Sequence, residues 1–302
     1  MSTPGTTAQA ERGLVLSSAF SSAILLAPAL IICTVLIFVP ALMAVVGSFN
    51  AFSLTSTDWD FVGLANYARA WNDPVFWVAL KNNLIIVFGS VTLQVGIGCI
   101  LAALLDRGIP KGQTFFRTLI FMPMVVSSVA VALIWLIIFD PNVGILNELV
   151  KAIGLTPPQL GWLGDPDLSI WMVLIVAAWQ YTGFMMVLIL AGLQGIPKEL
   201  YEAAALDGAR GIKAFWHITL PAIRNVLIVA VLITTIGGFK LFDFIYVLTQ
   251  GGPANSTQVL GTYIFLQGFS LTNMGYANAI AVVLLVIAVI LGWIQLKVSR
   301  SA

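Results

Sequence analysis

The chain has 302 residues, 60% of them hydrophobic and only 9% charged, with a formal net charge of +1. Soluble globular domains carry about 25% charged residues, so this composition excludes an ordinary soluble domain and reads as an integral membrane protein. The near-zero net charge excludes a basic footprint for nucleic acid. One histidine, His217, and two cysteines inside apolar runs, Cys33 and Cys99, exclude a zinc-type cluster on ligand count, and no metal site is expected.

Crossing about 30 Å of hydrocarbon at about 1.5 Å per residue takes roughly 20 apolar residues. After an N-terminal segment (residues 1–18), six runs qualify: about Ala19–Val46, Leu80–Leu105, Phe116–Phe139, Ile170–Gly192, Val226–Leu248 and Ala277–Leu296. The expected fold is an all-α membrane protein with six transmembrane helices in one transmembrane domain, residues 19–298. The first run is too long for a cleavable signal and stays as a span.

The cations set the orientation. Arg12, Arg107, Lys111, Arg117, Lys198, Arg210, Lys213, Arg224, Lys297 and Arg300 collect on one side, against Arg69, Lys81 and Lys151 on the other. Both termini are therefore expected in the cytoplasm. Asp58, Asp60, Asp73, Asp140, Glu148, Asp165 and Asp167 then face outward. Between spans three and four, Val143–Ile153 has the pattern of a short amphipathic helix, and Pro157-Pro158 with Gly161-Trp162-Leu163-Gly164 reads as an interfacial turn.

Span four carries Trp179-Gln180-Tyr181-Thr182-Gly183-Phe184 near its middle. At helical spacing Ala177, Gln180, Tyr181 and Phe184 share a face, and span five offers Thr234, Gly237, Gly238 and Leu241 at the same spacing. Aromatics opposite small residues leave room for a flat sugar ring, and Gln and Thr bond hydroxyls. Helix packing is the plain alternative, since small residues crowd helix contacts in membranes. Lys240 and Asp243, in the outer half of span five, are expected as an intramembrane charge pair at i, i+3, because an isolated charge near the bilayer centre costs about 2.5–3.5 kcal/mol, with direct contact to substrate as the alternative. Asn82, Asn83 and Gln94 are weaker polar candidates in span two.

The loop between spans four and five is the most distinctive feature. Pro197 suits a first helical position, a helix follows over Lys198–Leu206, and Gly208 ends it where positive φ is easy. A second helix runs from about Ile212 through His217 to Leu220, and Pro221 marks the turn into span five. Ala203, Ala204 and Ala205 offer a small face, flanked by Glu202 and Asp207. The plain alternative is an amphipathic connector lying on the inner leaflet.

The spacing Glu202-Ala203-Ala204, three residues, Gly208, nine residues, Ile218-x-Leu220-Pro221 resembles the signature of importer permeases of the ATP-binding-cassette class. Ala27-Pro28-Ala29 and Pro40 in the first span and Phe61-Val62-Gly63-Leu64-Ala65-Asn66-Tyr67 resemble the family's first span and outer loop, and Phe115-Phe116-Arg117 and Tyr246-Val247-Leu248-Thr249-Gln250-Gly251-Gly252-Pro253 are similar to its carbohydrate-uptake branch. The likeness covers about residues 20–298 and leans toward the larger permease subunit of maltose and glycerol-phosphate systems, without that subunit's extra N-terminal spans and large insertion.

The resemblance implies a permease in the bacterial inner membrane that is not itself an enzyme. It pairs with a second, homologous permease, a cytoplasmic ATPase dimer that holds ATP and Mg, and a periplasmic or lipid-anchored solute-binding protein; the substrate is a sugar or oligosaccharide. Glu202, Ala203, Ala204, Asp207, Gly208, Ile218, Leu220 and Pro221 carry over to the ATPase-coupling positions. The chain agrees in having no G-x-x-x-x-G-K-[ST] phosphate cradle. An ion-gradient-coupled carrier is the alternative, though no internal repeat supports it. A membrane-embedded enzyme lacks a nucleophile, base or metal set, and a passive channel leaves the loop unexplained.

Overall fold

The computed structural model describes residues 22–23, 25–56, 58–108 and 112–300, with side chains for all but 107–108 and 298–300. The segment 1–18 with Arg12, the start of the first expected span, and Lys111 lie outside the described residues.

The chain begins with α1 (Leu25–Ser48), followed by β1 (Asn50–Ala51), β2 (Asp60–Phe61) and α2 (Ala65–Asn72). Next come α3 (Pro74–Asp106), α4 (Gln113–Val125), α5 (Ser128–Ile138), α6 (Ile145–Ala152) and α7 (Ser169–Gln194). The last part holds α8 (Lys198–Leu206), α9 (Ile212–Ala222), α10 (Arg224–Phe239), α11 (Asp243–Leu248), α12 (Leu260–Phe265) and α13 (Met274–Arg300). The fold is thus helical apart from one antiparallel pair in which Asn50 faces Phe61. The motif Phe61–Tyr67 closes that outer loop onto α1: the Asn66 amide donates to the Ser48 and Asn50 carbonyls, and Tyr67 bonds the Ser48 hydroxyl at 2.7 Å.

Among the described residues four helices, α1, α3, α7 and α13, are long and apolar enough to cross a membrane. The third and fifth expected spans are not continuous helices. α4 and α5 meet at 97°, α9 and α10 at 71°, and the number reaches six only if each bent pair is one span. The first break lies three residues after Pro123, where Val126 and Ser127 are extended, at ψ 143° and 137°. The fifth run also ends early, because α10 stops at Phe239 and the chain turns before α11.

The second span begins earlier than its apolar run, at Pro74. Asp73 caps it, accepting the Val75 amide at 2.9 Å, with proline in the first helical position. The same carboxylate accepts the hydroxyls of Tyr263 and, at 2.7 Å, Tyr276, so one side chain ties α3 to α12 and α13. Burial alone would raise the Asp73 carboxyl, but bonds from Tyr263, Tyr276 and the Val75 and Phe76 amides outweigh it and hold it below its ordinary value. Arg69 stacks over the Tyr276 ring at 4.1 Å. Asn82 and Asn83 also serve the outer half: Asn82 donates to the Ser256 and Gln258 carbonyls, and Asn83 accepts the Leu260 amide.

α7 is the axis of the molecule. Its N-terminal half packs with Ile86, Val131 and Phe244, and its C-terminal half with Ala102, Ile223 and Ala230. Cys99 packs against the second of these clusters, whereas Cys33 is exposed on α1. At Gly183 the backbone of α4 comes so close that a β-carbon would run into the Ile120 carbonyl and the Phe121 backbone. Gly183→Ala is therefore expected to lower the melting temperature in detergent, by a cost of about 1–3 kcal/mol for overpacking. Gly237→Ala, with nothing within 4 Å of its new carbon, is expected to melt like the parent; equal melting of all three proteins would contradict this packing.

Candidate functional site

A cavity of about 250 Å³ opens where the broken helices converge on α7 and α10. Six of the eight residues expected to form a stripe line it: Tyr181 and Phe184 from α7, Thr234, Gly237 and Gly238 from α10, and Leu241 just beyond. Thr234 is tethered to Met185 by a hydroxyl-to-sulfur contact of 3.5 Å, and the Tyr181 ring meets Phe244 edge-on at 6.3 Å. Gln94 lines the wall as well. The arrangement offers aromatic faces, hydroxyls and an amide around a small-residue floor, a surface suited to a polyhydroxylated ring.

Ala177 and Gln180 are corrected. Both are buried, at 0% and 1% exposure, and neither lines the cavity. Ala177 packs in the core around the N-terminal half of α7. Gln180 turns toward the break in the third span, where its amide donates to the Val126 carbonyl at 2.8 Å. That carbonyl lies where the helix ends, and in hydrocarbon it needs a partner from the protein. Gln180 thus pins the break and does not line the cavity.

The expected ion pair of Lys240 and Asp243 is also corrected. The i, i+3 spacing holds on a continuous helix, but Lys240 caps α10 and Asp243 opens α11, and no ion pair joins them. Asp243 instead accepts the Ser128 hydroxyl at 2.8 Å, across the break. Both charges line the cavity, as do Ser90, Met124 and Ser128, which the sequence reading did not single out. The available signal was Pro123 followed by Ser127-Ser128 inside an otherwise apolar run.

A second assembly lies in the loop between α7 and α10. Pro197 is the cap of α8 rather than its first residue, at ψ 135°. α8 ends in a closed turn: the Gly208 amide bonds the Ala205 carbonyl at 3.3 Å and the Ala209 amide bonds the Ala204 carbonyl at 2.8 Å, with Gly208 at φ +78°. This double closure needs a left-handed residue after the cap, the role of Gly208. Tyr201 and Thr219 join α8 to α9 at 3.0 Å, and His217 bonds back to the Lys213 carbonyl. Glu202, Ala203, Asp207, Gly208 and Pro221 are exposed, Ile218 and Leu220 are half-buried, and Ala204 is buried, so the small outward face is Ala203 without Ala204. Pro221 sits inside α9, and the turn toward α10 comes at Ile223.

Removing the pin tests the first of these corrections. Gln180→Ala strands the Val126 carbonyl, at about 1–3 kcal/mol for an unsatisfied buried group. It is expected to lower thermal stability while leaving the apparent affinity for transported solute unchanged. Weakened affinity at parental stability would return Gln180 to the cavity wall.

Among known proteins, the family described as "Binding-protein-dependent transport system inner membrane component" matches residues 94–302. The chain is 41% identical to the probable ABC transporter permease protein YurN of Bacillus subtilis (strain 168), over 91% of this chain and 94% of that protein. It is 34% identical to the lactose transport system permease protein LacF of Rhizobium radiobacter, over 91% and 92%. In fold it is similar to a chain of a bacterial ABC transporter involved in the import of alginate, with a TM-score of 0.83 at 22% identity over 96% of this chain and 99% of that one. With its helical fold, its broken spans and its exposed glycine-closed loop, the chain belongs to the family of binding-protein-dependent transport system inner membrane components, the permease subunits of ABC importers.

Proposed function

We propose that the chain forms half of the transmembrane path of an ATP-driven, binding-protein-dependent importer for a sugar or oligosaccharide, in the inner membrane of a bacterium. The observation that carries this reading is the knob of α8 and α9, closed at Gly208 with Glu202 and Asp207 exposed. Its coupling residues stand on a rigid turn outside the apolar bundle, ready for a soluble partner. The ten-to-three division of cations supports cytoplasmic termini and a cytoplasmic knob. The two bent pairs then each count as a span, giving six.

A second, homologous permease fits the lateral surface. No residue in the most apolar stretch of α1 is buried. Apolar grooves of about 820 and 640 Å³ run along α3 and α7 and share Leu93 and Ile175. An exposed apolar stretch of α1 and an unfilled groove on one chain suit a heterodimer in which each first span lies against the other permease. ATP and Mg belong to a separate ATPase dimer, and a periplasmic or lipid-anchored binding protein delivers solute. By linkage, ATP closure acting through the knob and the loaded binding protein acting from outside favour the same outward-facing state. The lactose permease relative and the aromatic and hydroxyl lining of the cavity support a sugar as cargo.

Gly208→Val tests the coupling. A β-branched residue in a left-handed turn costs about 1–2 kcal/mol, too little to unfold the spans, but it reshapes the docking surface. The variant is expected to reach the membrane, to lose the ATPase on co-purification and to lose solute uptake. Retention of both would overturn the proposed role of the knob.

A further inference from the structure

The outer helix α6 has three faces rather than two. One is packed: Leu146 lies against the core around the N-terminal half of α7, and the buried Asn147 donates to the Pro141 and Asp140 carbonyls while accepting Trp162 Nε1 at 2.7 Å. A second is polar, where Lys151 pairs with Glu148 at 2.9 Å. The third is apolar and uncovered. Ile145, Leu149 and Ile153 follow at i, i+4 and i+8, and with Val143 and Leu155 they are 57–76% exposed. Leu155 is folded back beside them because its amide closes on the Val150 carbonyl at 3.0 Å.

We propose that this third face lies in the outer leaflet of the membrane, making α6 an interfacial anchor for the outer half of the third span. Three observations favour lipid over a protein partner. The stripe is made only of valine, isoleucine and leucine, whereas protein interfaces bring about one hydrogen bond per 100–200 Å². The two charges on the helix, Lys151 and Glu148, pair with one another. Along the chain the stripe continues the exposed apolar residues Leu133, Ile134 and Ile137 of α5, the surface a membrane covers. An amphipathic helix buries such a face about 5–10 Å into the headgroup boundary.

The mount is rigid. Asp140 caps the link, accepting the Asn142 and Val143 amides, and Phe139 and Trp162 pack in the same core as Val173 of α7. α5 packs in turn against α11, which carries Asp243. Fixing α6 at the lipid boundary therefore holds one wall of the cavity at constant depth.

The test is collision accessibility of a nitroxide placed singly at 145, 148, 149, 151 and 153. The full chain carries Cys33→Ser and Cys99→Ser and sits in vesicles of phosphatidylethanolamine and phosphatidylglycerol. It is also measured in membranes from cells that express its transport partners. The ratio of oxygen to nickel-chelate accessibility is expected to peak several-fold at 145, 149 and 153 and to fall at 148 and 151, in both preparations. Uniformly high nickel accessibility would place the helix in water, and shielding of 145, 149 and 153 from both reagents would place a protein on it. Either result overturns the proposal.

Discussion

In hydrocarbon a backbone carbonyl without a partner costs several kcal/mol, so a spanning helix breaks only where the protein supplies the missing bond. That constraint organises this molecule. The third expected span breaks after Pro123, and the Val126 carbonyl is met by Gln180 from α7. One residue past the extended turn, Ser128 reaches across to Asp243, which opens the helix beyond the end of α10. Two interruptions thus face each other over α7, and the space between them is the cavity. A continuous third span would put apolar side chains where Ser128 now stands.

The loop between α7 and α10 obeys a different rule. It lies outside the apolar bundle, where its strength comes from local closure rather than burial. The bonds at Gly208 and Ala209 fix the end of α8, and Tyr201 with Thr219 fixes α8 against α9. Ile223, fully buried at the 71° bend, joins this knob to α10, whose other end forms the cavity floor. A push on the knob reaches the cavity through one helix of sixteen residues.

Sequence hydropathy located the apolar runs because it responds to apolar composition, whether lipid or a neighbouring helix covers the residues. It placed α7 within two residues at each end. It missed the interruptions because the turns at Val126 and Lys240 break backbone geometry without breaking apolar composition. The same blindness explains the failure of the Lys240 and Asp243 pair, which assumed an uninterrupted helix. Gln180 was recognised as polar at the right depth but placed on the wrong surface, since a helical face does not say which neighbour it meets. The knob was legible at Gly208, where a left-handed turn demands a specific residue, and less so at Ala204, whose burial depends on α9 folding back.

The central claim is that the space between α7 and α10 is the solute path, and accessibility of Gly237 tests it most directly. Gly237 lines the cavity with open space around it, so a cysteine fits there. In membrane vesicles holding the assembled importer, with Cys33→Ser and Cys99→Ser, Gly237→Cys is expected to react with a membrane-impermeant thiol reagent at a rate that ATP changes. A thiol that stays unreactive, or that reacts at one rate with and without ATP, would contradict the account.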